Sequence, residues 1–158
     1  MTVEFEHVTE IDAPLDAPVD AVFDLSLDID AHLASMADSG ERAIEGVAGG
    51  QIGLGEQVTW RATHFGIPFT MTSRITELER PTRFVDEQVK GPFRRFRHVH
   101  EFREAGAGSV MIDRVRFDAP LGPFGVVVER LVLGRYLRSL IEERGRFLKQ
   151  AAEASDSP

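Results

Sequence analysis

The stretch FGVVVERLVLGRYLRSLIEERGRFLKQAA, residues 124–152, decides the fold. It is the only long segment with helical periodicity, and it follows a run of strand-like segments. Its apolar residues recur at helical spacing and form one face, which consists of Leu133, Leu137, Leu140, Ile141, Phe147, Leu148 and Ala151. The first turns, over 124–133, are apolar nearly all round, so we expect them to be deeply covered. A helix of this length spans roughly 40 Å and can lie across a whole curved sheet.

Two glycines and one arginine interrupt the pattern of this helix. Gly134 and Gly145 each cost up to about 1 kcal/mol relative to alanine, which indicates close packing against a neighbouring backbone. A hinge that admits a ligand is the alternative. Arg144 lies on the apolar face between Leu140 and Leu148, and a buried charge there needs a partner.

Composition excludes several classes of protein. The chain has 158 residues, of which 42% are hydrophobic, and this is enough for one domain with a proper core. A net charge of −8 argues against a nucleic-acid-binding surface, which needs a basic face. Because there is no cysteine, disulfides, a thiol nucleophile and thiolate metal ligands are excluded. We expect a single domain over 1–152 and a frayed tail over 153–158.

The first residues and the apolar runs predict a location. Glu4, Glu6 and Glu10 stand where a signal peptide would carry a basic region and an apolar core, so no signal peptide is expected. The longest apolar runs fall far short of the roughly 18 residues that a transmembrane helix needs. We therefore expect a cytoplasmic protein without membrane insertion, and a homodimer is left open.

One strand and two short helices open the chain. Residues 3–11 alternate between inward and acidic side chains, which predicts a half-buried strand. Two short helical pieces follow, over 18–26 and 28–36, and Pro18 suits the first turn of a helix. Residues 43–50 form a weak strand that runs into a glycine-rich turn, which we interpret as a turn or loop and not as a phosphate site.

Five further strands form a meander. In its first hairpin, a tight turn pairs Phe65 with Pro68. This register sets Trp60 opposite Ser73 and gives both strands the same apolar face. The inward face of the strand over 83–90 is ambiguous. If the alternation of side chains is continued from the preceding strand, the even-numbered residues point inward. If it is continued back from the following strand, the odd-numbered residues do. A bulge or an irregular loop must resolve this conflict.

The last hairpin of the meander, over 94–118, has a clearer register. Pairing Glu104 with Ser109 sets His100 opposite Asp113. The other face of both strands is rich in arginine, so both strands agree on which side faces water.

The order of strand, two short helices, six strands and a long C-terminal helix is similar to that of the START-domain and birch-pollen-allergen superfamily, SRPBCC. The stretches that carry the resemblance are Ile11-Asp12-Ala13-Pro14, Val19 to Phe23, Val58-Thr59-Trp60 and Gly106 to Met111. Within the superfamily the chain most resembles the bacterial polyketide-cyclase/dehydrase-like branch, through Gly91-Pro92-Phe93, His98-Val99-His100-Glu101-Phe102 and Pro120-Leu121-Gly122.

This resemblance implies a fold and a set of functions. The fold is the α+β helix-grip fold, in which a curved antiparallel sheet of about seven strands wraps around the long C-terminal helix, with two short helices after strand 1. The superfamily includes lipid and hormone carriers, aromatase/cyclases, co-chaperones and oxygenase subunits, and fold alone does not choose among them. The chain lacks the Cys/His iron–sulfur motif of an oxygenase subunit.

The inward face is more polar than a plain core. The strand alternation points His7, His64, His98 and His100 inward and leaves only His32 outside. The arrangement of candidate catalytic residues, His98, His100 and Asp113, allows three interpretations. They form a satisfied internal network balanced by Arg144, or bind the polar group of a ligand, or act as general acid and base on a polyketide.

The favoured function is binding of a small hydrophobic molecule, lipid-like or polyketide-like, between sheet and helix. The predicted ligand-binding residues are Trp60, His64, Phe69, Met71, Ser73, Phe96, Phe102, Met111, Leu137, Ile141 and Arg144. The alternative is a polyketide aromatase/cyclase or dehydratase that uses the internal His/Asp pair, and a non-catalytic interaction domain with a solid core is a third hypothesis. Whether the chain is an enzyme stays open. His98 and His100 on one strand face, with Asp113 opposite, could also hold zinc or iron, but no third histidine or glutamate is securely placed, so we predict no metal and no cofactor.

Overall fold

A computed structural model describes residues 2–12, 18–118 and 132–154 of the chain. The strands are β1 Thr2–Ile11, β2 Arg42–Gly46, β3 Gln57–His64, β4 Ile67–Glu79, β5 Arg83–Lys90, β6 Arg95–Ala105 and β7 Gly108–Asp118. The helices are α1 Pro18–Leu27, α2 Ile29–Ser35 and the C-terminal α3 Gly134–Ala154, with a short 3-10 turn at Ala37–Ser39. None of the helices within these ranges is both long and apolar enough to cross a membrane.

The seven strands form one antiparallel sheet in the order β1-β7-β6-β5-β4-β3-β2. The long helix α3 lies against it and packs on β1, while α1 and α2 follow β1 as predicted. This arrangement confirms the helix-grip fold. The predicted first helical turns over 124–131 and the residues 155–158 of the predicted tail lie outside the described residues.

The register of the β3–β4 hairpin differs from the prediction by two residues. Trp60 pairs with Met71, so it does not stand opposite Ser73 as predicted. The reason is the turn, which lies at Phe65 and Gly66 with φ angles of 53° and 72°. A two-residue hairpin turn of this kind needs left-handed backbone at both central positions, and the sequence gives little warning that a phenylalanine will adopt it. Because side chains alternate with period two, the inward face is still the predicted one.

The β6–β7 hairpin has the predicted register. Glu104 pairs with Ser109 and His100 pairs with Asp113. Gly106, with a φ angle of 61°, turns the chain between the two strands. The predicted pairing therefore brings a histidine and a carboxylate together on the inner face.

Strand β5 places its even-numbered residues inward, which resolves the conflict in the sequence. Phe84 pairs with His100, and Asp86 pairs with His98. Irregularities lie on both sides of this paired stretch. The register between β4 and β5 shifts between Ile75, which pairs with Asp86, and Glu77, which pairs with Val85. In the loop after β5, the amide of Gln88 donates to the carbonyl of Phe93 (2.7 Å) and accepts from its N–H (3.2 Å). The bulge and the loop together allow the even-numbered residues of β5 to face inward.

The apolar core has two parts. Under the C-terminal half of α3, the ring of Phe23 on α1 packs edge-on against Phe84 at 5.7 Å and Phe102 at 5.3 Å, and Leu148 joins this cluster. Under the N-terminal half, Ile141 packs in a second cluster with residues of β1 and β7. Between Ile141 and Leu148 the buried helix residues are Arg144 and Gly145, so a charged side chain separates the two apolar clusters.

Gly145 allows α3 to approach β1 closely. A Cβ atom at this position would overlap Thr9 Oγ1 and would lie 3.4 Å from His7 Nε2. The predicted reason for a glycine in this helix, close packing, agrees with this contact.

We predict that Gly145→Ala lowers the free energy of unfolding by about 1–3 kcal/mol, because the new methyl group overpacks the contact with Thr9. This loss should outweigh the gain of up to about 1 kcal/mol in helix propensity. Denaturant unfolding of the purified variant measures the change.

The matched controls are Arg146→Ala, on the exposed side of the same helix turn, and the double variant Thr9→Ala/Gly145→Ala. The double variant should recover most of the loss, since it removes the overlapping hydroxyl. A single variant Gly145→Ala that is more stable than the native protein would contradict the close approach.

Candidate functional site

A cavity of about 680 Å³ lies between the sheet and α3. Its walls are largely aliphatic and aromatic. Among the apolar side chains that line it are Leu27, Ile29, Met36, Ile52, Val58, Trp60, Ala62, Phe69, Met71, Ile75, Phe84, Phe93, Phe96, Leu137, Leu140 and Ile141. This volume lies within the range of sites that bind drug-sized molecules.

Most of the predicted ligand-binding residues face this cavity. Those that line it are Trp60, His64, Phe69, Met71, Ser73, Phe96, Leu137, Ile141 and Arg144. The exceptions are Phe102 and Met111, which are not among the residues that line it. Phe102 packs against Phe23, and the Ser26 hydroxyl donates a weak hydrogen bond to the sulfur of Met111 (3.7 Å). Helix α1, which carries Phe23 and Ser26, therefore covers both side chains. The strand alternation predicts their inward direction but not which helix covers them.

Two histidines and two aspartates converge on one side of the cavity. His98 Nε2 lies 2.8 Å from Asp113 Oδ1, and His100 Nε2 lies 2.7 Å from Asp86 Oδ2. The two imidazole rings are 3.7 Å apart between centroids. We call Asp86, His98, His100 and Asp113 the His/Asp cluster. Asp86, His98 and His100 line the cavity, and Asp113 lies behind them.

Strand geometry explains this convergence. His98 and His100 are two residues apart on β6, so both side chains leave the same face of the sheet. Asp113 comes from β7, directly opposite His100, and Asp86 comes from β5, directly opposite His98. The sequence left the face of Asp86 undecided. Counting the alternation from the preceding strand, which points the even-numbered residues inward, would have placed Asp86 beside the histidines.

Asp113 is completely buried and is surrounded by nitrogen atoms. Besides His98, it meets His100 Nδ1 at 3.0 Å and Arg144 Nη1 at 3.6 Å. Burial alone would raise the pKa of Asp113, but the hydrogen-bonding contacts of His100 and His98 outweigh it and hold that pKa well below its ordinary value. Asp113 is therefore an anion that orients the two imidazoles.

The charges of the cluster are arranged in pairs. Arg144, which also donates to the Ser26 carbonyl at 3.2 Å, balances one of the two carboxylates. Burial would raise the pKa of Asp86, but the hydrogen bond from His100 and the neighbouring positive charges outweigh it, so that pKa is lowered. Burial, reinforced by His100, lowers the pKa of His98 although both carboxylates oppose the shift.

Several buried polar atoms of the cluster lack an aligned hydrogen-bond partner. They are His100 Nδ1, Asp113 Oδ2 and Arg144 Nη1. His100 Nδ1 lies 3.0 Å from Asp113 Oδ1, but the two atoms are not aligned as in a regular hydrogen bond. Unsatisfied buried groups are costly, and a bound molecule or ion can satisfy them.

A second polar pair faces the cavity from α2. His32 Nε2 contacts Glu41 Oε1 in a short hydrogen bond, and the His32 ring lies 4.4 Å from the ring of Trp60. Both residues of the pair line the cavity. The prediction that His32 lies outside is therefore wrong, because alternation along strands says nothing about a histidine on a short helix.

A third polar pair joins the β3–β4 hairpin to α3. His64 Nδ1 lies 2.6 Å from the hydroxyl of Tyr136, and burial lowers the pKa of His64. The ring of Phe65 packs 4.6 Å from Tyr136, and both Phe65 and Ile67 line the cavity although more than half of each side chain is exposed. These residues therefore form a rim between cavity and solvent. Tyr136 could have been found from its helical spacing to Leu140.

A family model described as polyketide cyclase/dehydrase and lipid transport matches residues 3–153. The chain belongs to this family. The match confirms the resemblance to the polyketide-cyclase-like branch of SRPBCC. No curated protein matches the chain with significant similarity.

Solved structures support the fold of this polyketide cyclase/dehydrase family member. The crystal structure of TTHA0849 from Thermus thermophilus is 17% identical, with a TM-score of 0.75 over 99% of this chain and 100% of that chain. The Zhui aromatase/cyclase from Streptomyces sp. R1128 is 16% identical, with a TM-score of 0.75 over 97% of this chain and 94% of that chain. Ara h 8.0201 is 13% identical, with a TM-score of 0.65 over 96% of this chain and 98% of that chain. Identities this low show a shared fold and not a shared activity.

We predict that Asp113→Asn lowers the free energy of unfolding by about 3–5 kcal/mol, because Arg144 and the two imidazoles lose their buried counter-charge. Denaturant unfolding measures the change. Asp38→Asn, at an exposed position, is the matched control and should leave stability unchanged. Equal stability of the two variants would show that the cluster does not depend on the charge of Asp113.

Proposed function

We propose that the chain binds a small hydrophobic molecule, lipid-like or polyketide-like, in the cavity and holds its polar group against the His/Asp cluster. The observation that carries this proposal is the apolar cavity of about 680 Å³, with Asp86, His98 and His100 of the cluster on its wall. A cavity of this size argues against the interaction-domain hypothesis, which needs a solid core. The cytoplasmic location and the homodimer stay predictions from the sequence.

The apolar walls supply affinity without much selectivity. A ligand that buries about 300 Å² of apolar surface gains about 7.5 kcal/mol from its removal from water. Lost translational and rotational freedom offsets much of this gain. The wall residues, such as Phe69, Met71 and Leu137, accept many shapes, since thioether and aliphatic side chains adapt to their contacts.

The polar pairs supply selectivity. A hydroxyl or carbonyl group of the ligand can hydrogen-bond to the side chains of Asp86, His98 or His100, which line the cavity. A ligand of the same shape without that group cannot form these hydrogen bonds. Trp60, held against His32, offers a flat surface on which an aromatic ring of the ligand can stack.

The first test is occupancy of the cavity. We expect native mass spectrometry of the gently purified protein to show a bound apolar molecule, and the neutral fluorescent probe N-phenyl-1-naphthylamine to bind the stripped protein at one site. Ala62→Phe, which fills the cavity from β3, should weaken probe binding more than tenfold, because the new ring takes the space of the probe.

The control for this test is Ala34→Phe, which adds the same ring at an exposed position of α2. It should bind the probe as the native protein does. Equal probe binding by the Ala62 variant and the control, or no binding by the native protein, would overturn the proposal.

A second candidate function is an aromatase/cyclase or dehydratase reaction. The observation that favours it is the contact of 2.8 Å between His98 Nε2 and the buried Asp113, which leaves His98 Nδ1 free to accept a proton. In this arrangement Asp113 is a positioning residue, and His98 is the group that touches the ligand. One structural relative is an aromatase/cyclase by name, which agrees with this chemistry.

Proton abstraction next to a carbonyl is the elementary step of this candidate. We predict that the protein accelerates exchange of the methyl protons of 2-acetonaphthone in deuterated water, as followed by NMR. His98→Gln should abolish the acceleration while probe binding stays within about threefold, since the base is lost and the walls remain.

His7→Gln is the control, because His7 lies on the inner face of β1 against α3 and not among the cavity-lining residues. It should exchange protons at the native rate. No acceleration by the native protein would remove this second candidate and leave the binding proposal intact.

A further inference from the structure

Three side chains of the His/Asp cluster offer metal-ligand atoms to one point. We propose that Asp86, His98 and His100 bind a divalent transition metal ion such as zinc or ferrous iron, with the remaining coordination positions open to the cavity. This site goes beyond the binding of a hydrophobic ligand and does not depend on it.

The distances suit an ion after small adjustments. One donor atom from each of the three residues lies within 4.8 Å of the others. His100 Nε2 and His98 Nδ1 lie 2.7 Å and 3.9 Å from the same oxygen, Asp86 Oδ2. Ligand atoms about 2.1 Å from a tetrahedral ion lie about 3.4 Å from one another, so the two observed distances fall on either side of the required one.

Asp113 completes the arrangement from behind. Its Oδ1 atom lies 2.8 Å from His98 Nε2 and 3.0 Å from His100 Nδ1, the ring nitrogens that do not face Asp86. Metal-binding histidines usually direct their second ring nitrogen to a carboxylate, which fixes the tautomer and strengthens the ligand. One buried carboxylate here serves both histidines.

The charges also leave a place for a cation. Arg144 faces Asp113 at 3.6 Å, so Asp86 has no full positive charge of its own among these contacts unless an imidazole is protonated. A proton shared with His100 or a metal ion can fill this role, and the two exclude each other because both need the same nitrogen lone pair. A shared proton in place of the ion is the alternative outcome of the test.

The donor set defines the ion and its effect. Two imidazole nitrogens and one carboxylate oxygen suit zinc, or ferrous iron when the positions opposite them stay open. Because Asp86, His98 and His100 all line the cavity, those positions face a bound molecule. The ion would hold a ligand oxygen as a Lewis acid, and His98 would then be a metal ligand and not the base of the second candidate function.

The test is a titration of the metal-stripped full chain with cobalt(II), a spectroscopic stand-in for zinc, followed by zinc in competition. We expect one ion per chain by mass spectrometry of the native complex, and the intense visible absorption of tetrahedral cobalt(II). Bound zinc should also raise the melting temperature. No saturable absorption with the native protein overturns the inference and assigns the cluster to a protonated network.

Variants separate this site from adventitious binding. Asp86→Asn and His98→Gln should weaken cobalt(II) binding more than tenfold, and Asp113→Asn should weaken it about 10–100-fold through the histidines. Asp38→Asn, which changes an exposed carboxylate away from the cluster, should bind as the native protein does. Equal binding by all four variants overturns the inference.

Binding of N-phenyl-1-naphthylamine, measured on the same samples, reports on the proposed function separately. A native protein that binds the probe but no metal ion overturns the metal site alone and leaves the proposed function intact. Circular dichroism checks that each variant is folded, and the native titration decides the question if a variant is not.

Discussion

A carboxylate that is wholly removed from water has to be paired, and the inner face of this protein is built around Asp113. It stands on β7, yet its contacts come from β6 through His98 and His100 and from α3 through Arg144. If the Asp113 carboxylate or the Arg144 guanidinium were left unpaired in the protein interior, the free energy cost would be several kcal/mol. The sheet and the helix therefore meet in one relative position, and that position determines the shape of the space between them.

The space between sheet and helix is divided by α1. Where Phe23 packs down onto Phe84 and Phe102, the interior is a close-packed core. Farther along the sheet nothing among the described residues fills the interior, and a cavity of about 680 Å³ remains. Empty apolar volume reduces stability because its lining atoms lose contacts, which a bound molecule restores. Stability and binding are thus linked through the same side chains.

The sequence predicted a strand register correctly where the alternation and the turn agreed. It failed where an unusual turn or loop set the register. The β6–β7 register was predictable because two polar faces and one short loop agree, and this alone paired His100 with Asp113. The β3–β4 register was not, because it depends on Phe65 adopting a left-handed conformation in the turn. Asp86 was missed for a similar reason, since the bulge between β4 and β5 and the loop after β5 decide which face it takes.

The amino-acid sequence by itself determined the order of elements, the long C-terminal helix, the inward face of each regular strand and hence most of the cavity wall. These properties follow from periodicity, which is local and is encoded in neighbouring residues. Only the tertiary structure decided that Phe102 and Met111 belong to the core, that His32 faces the cavity and that Asp86 joins the histidines. Each of these depends on where a distant helix or strand packs, and side chains far apart in the chain meet only when the whole sheet is in place.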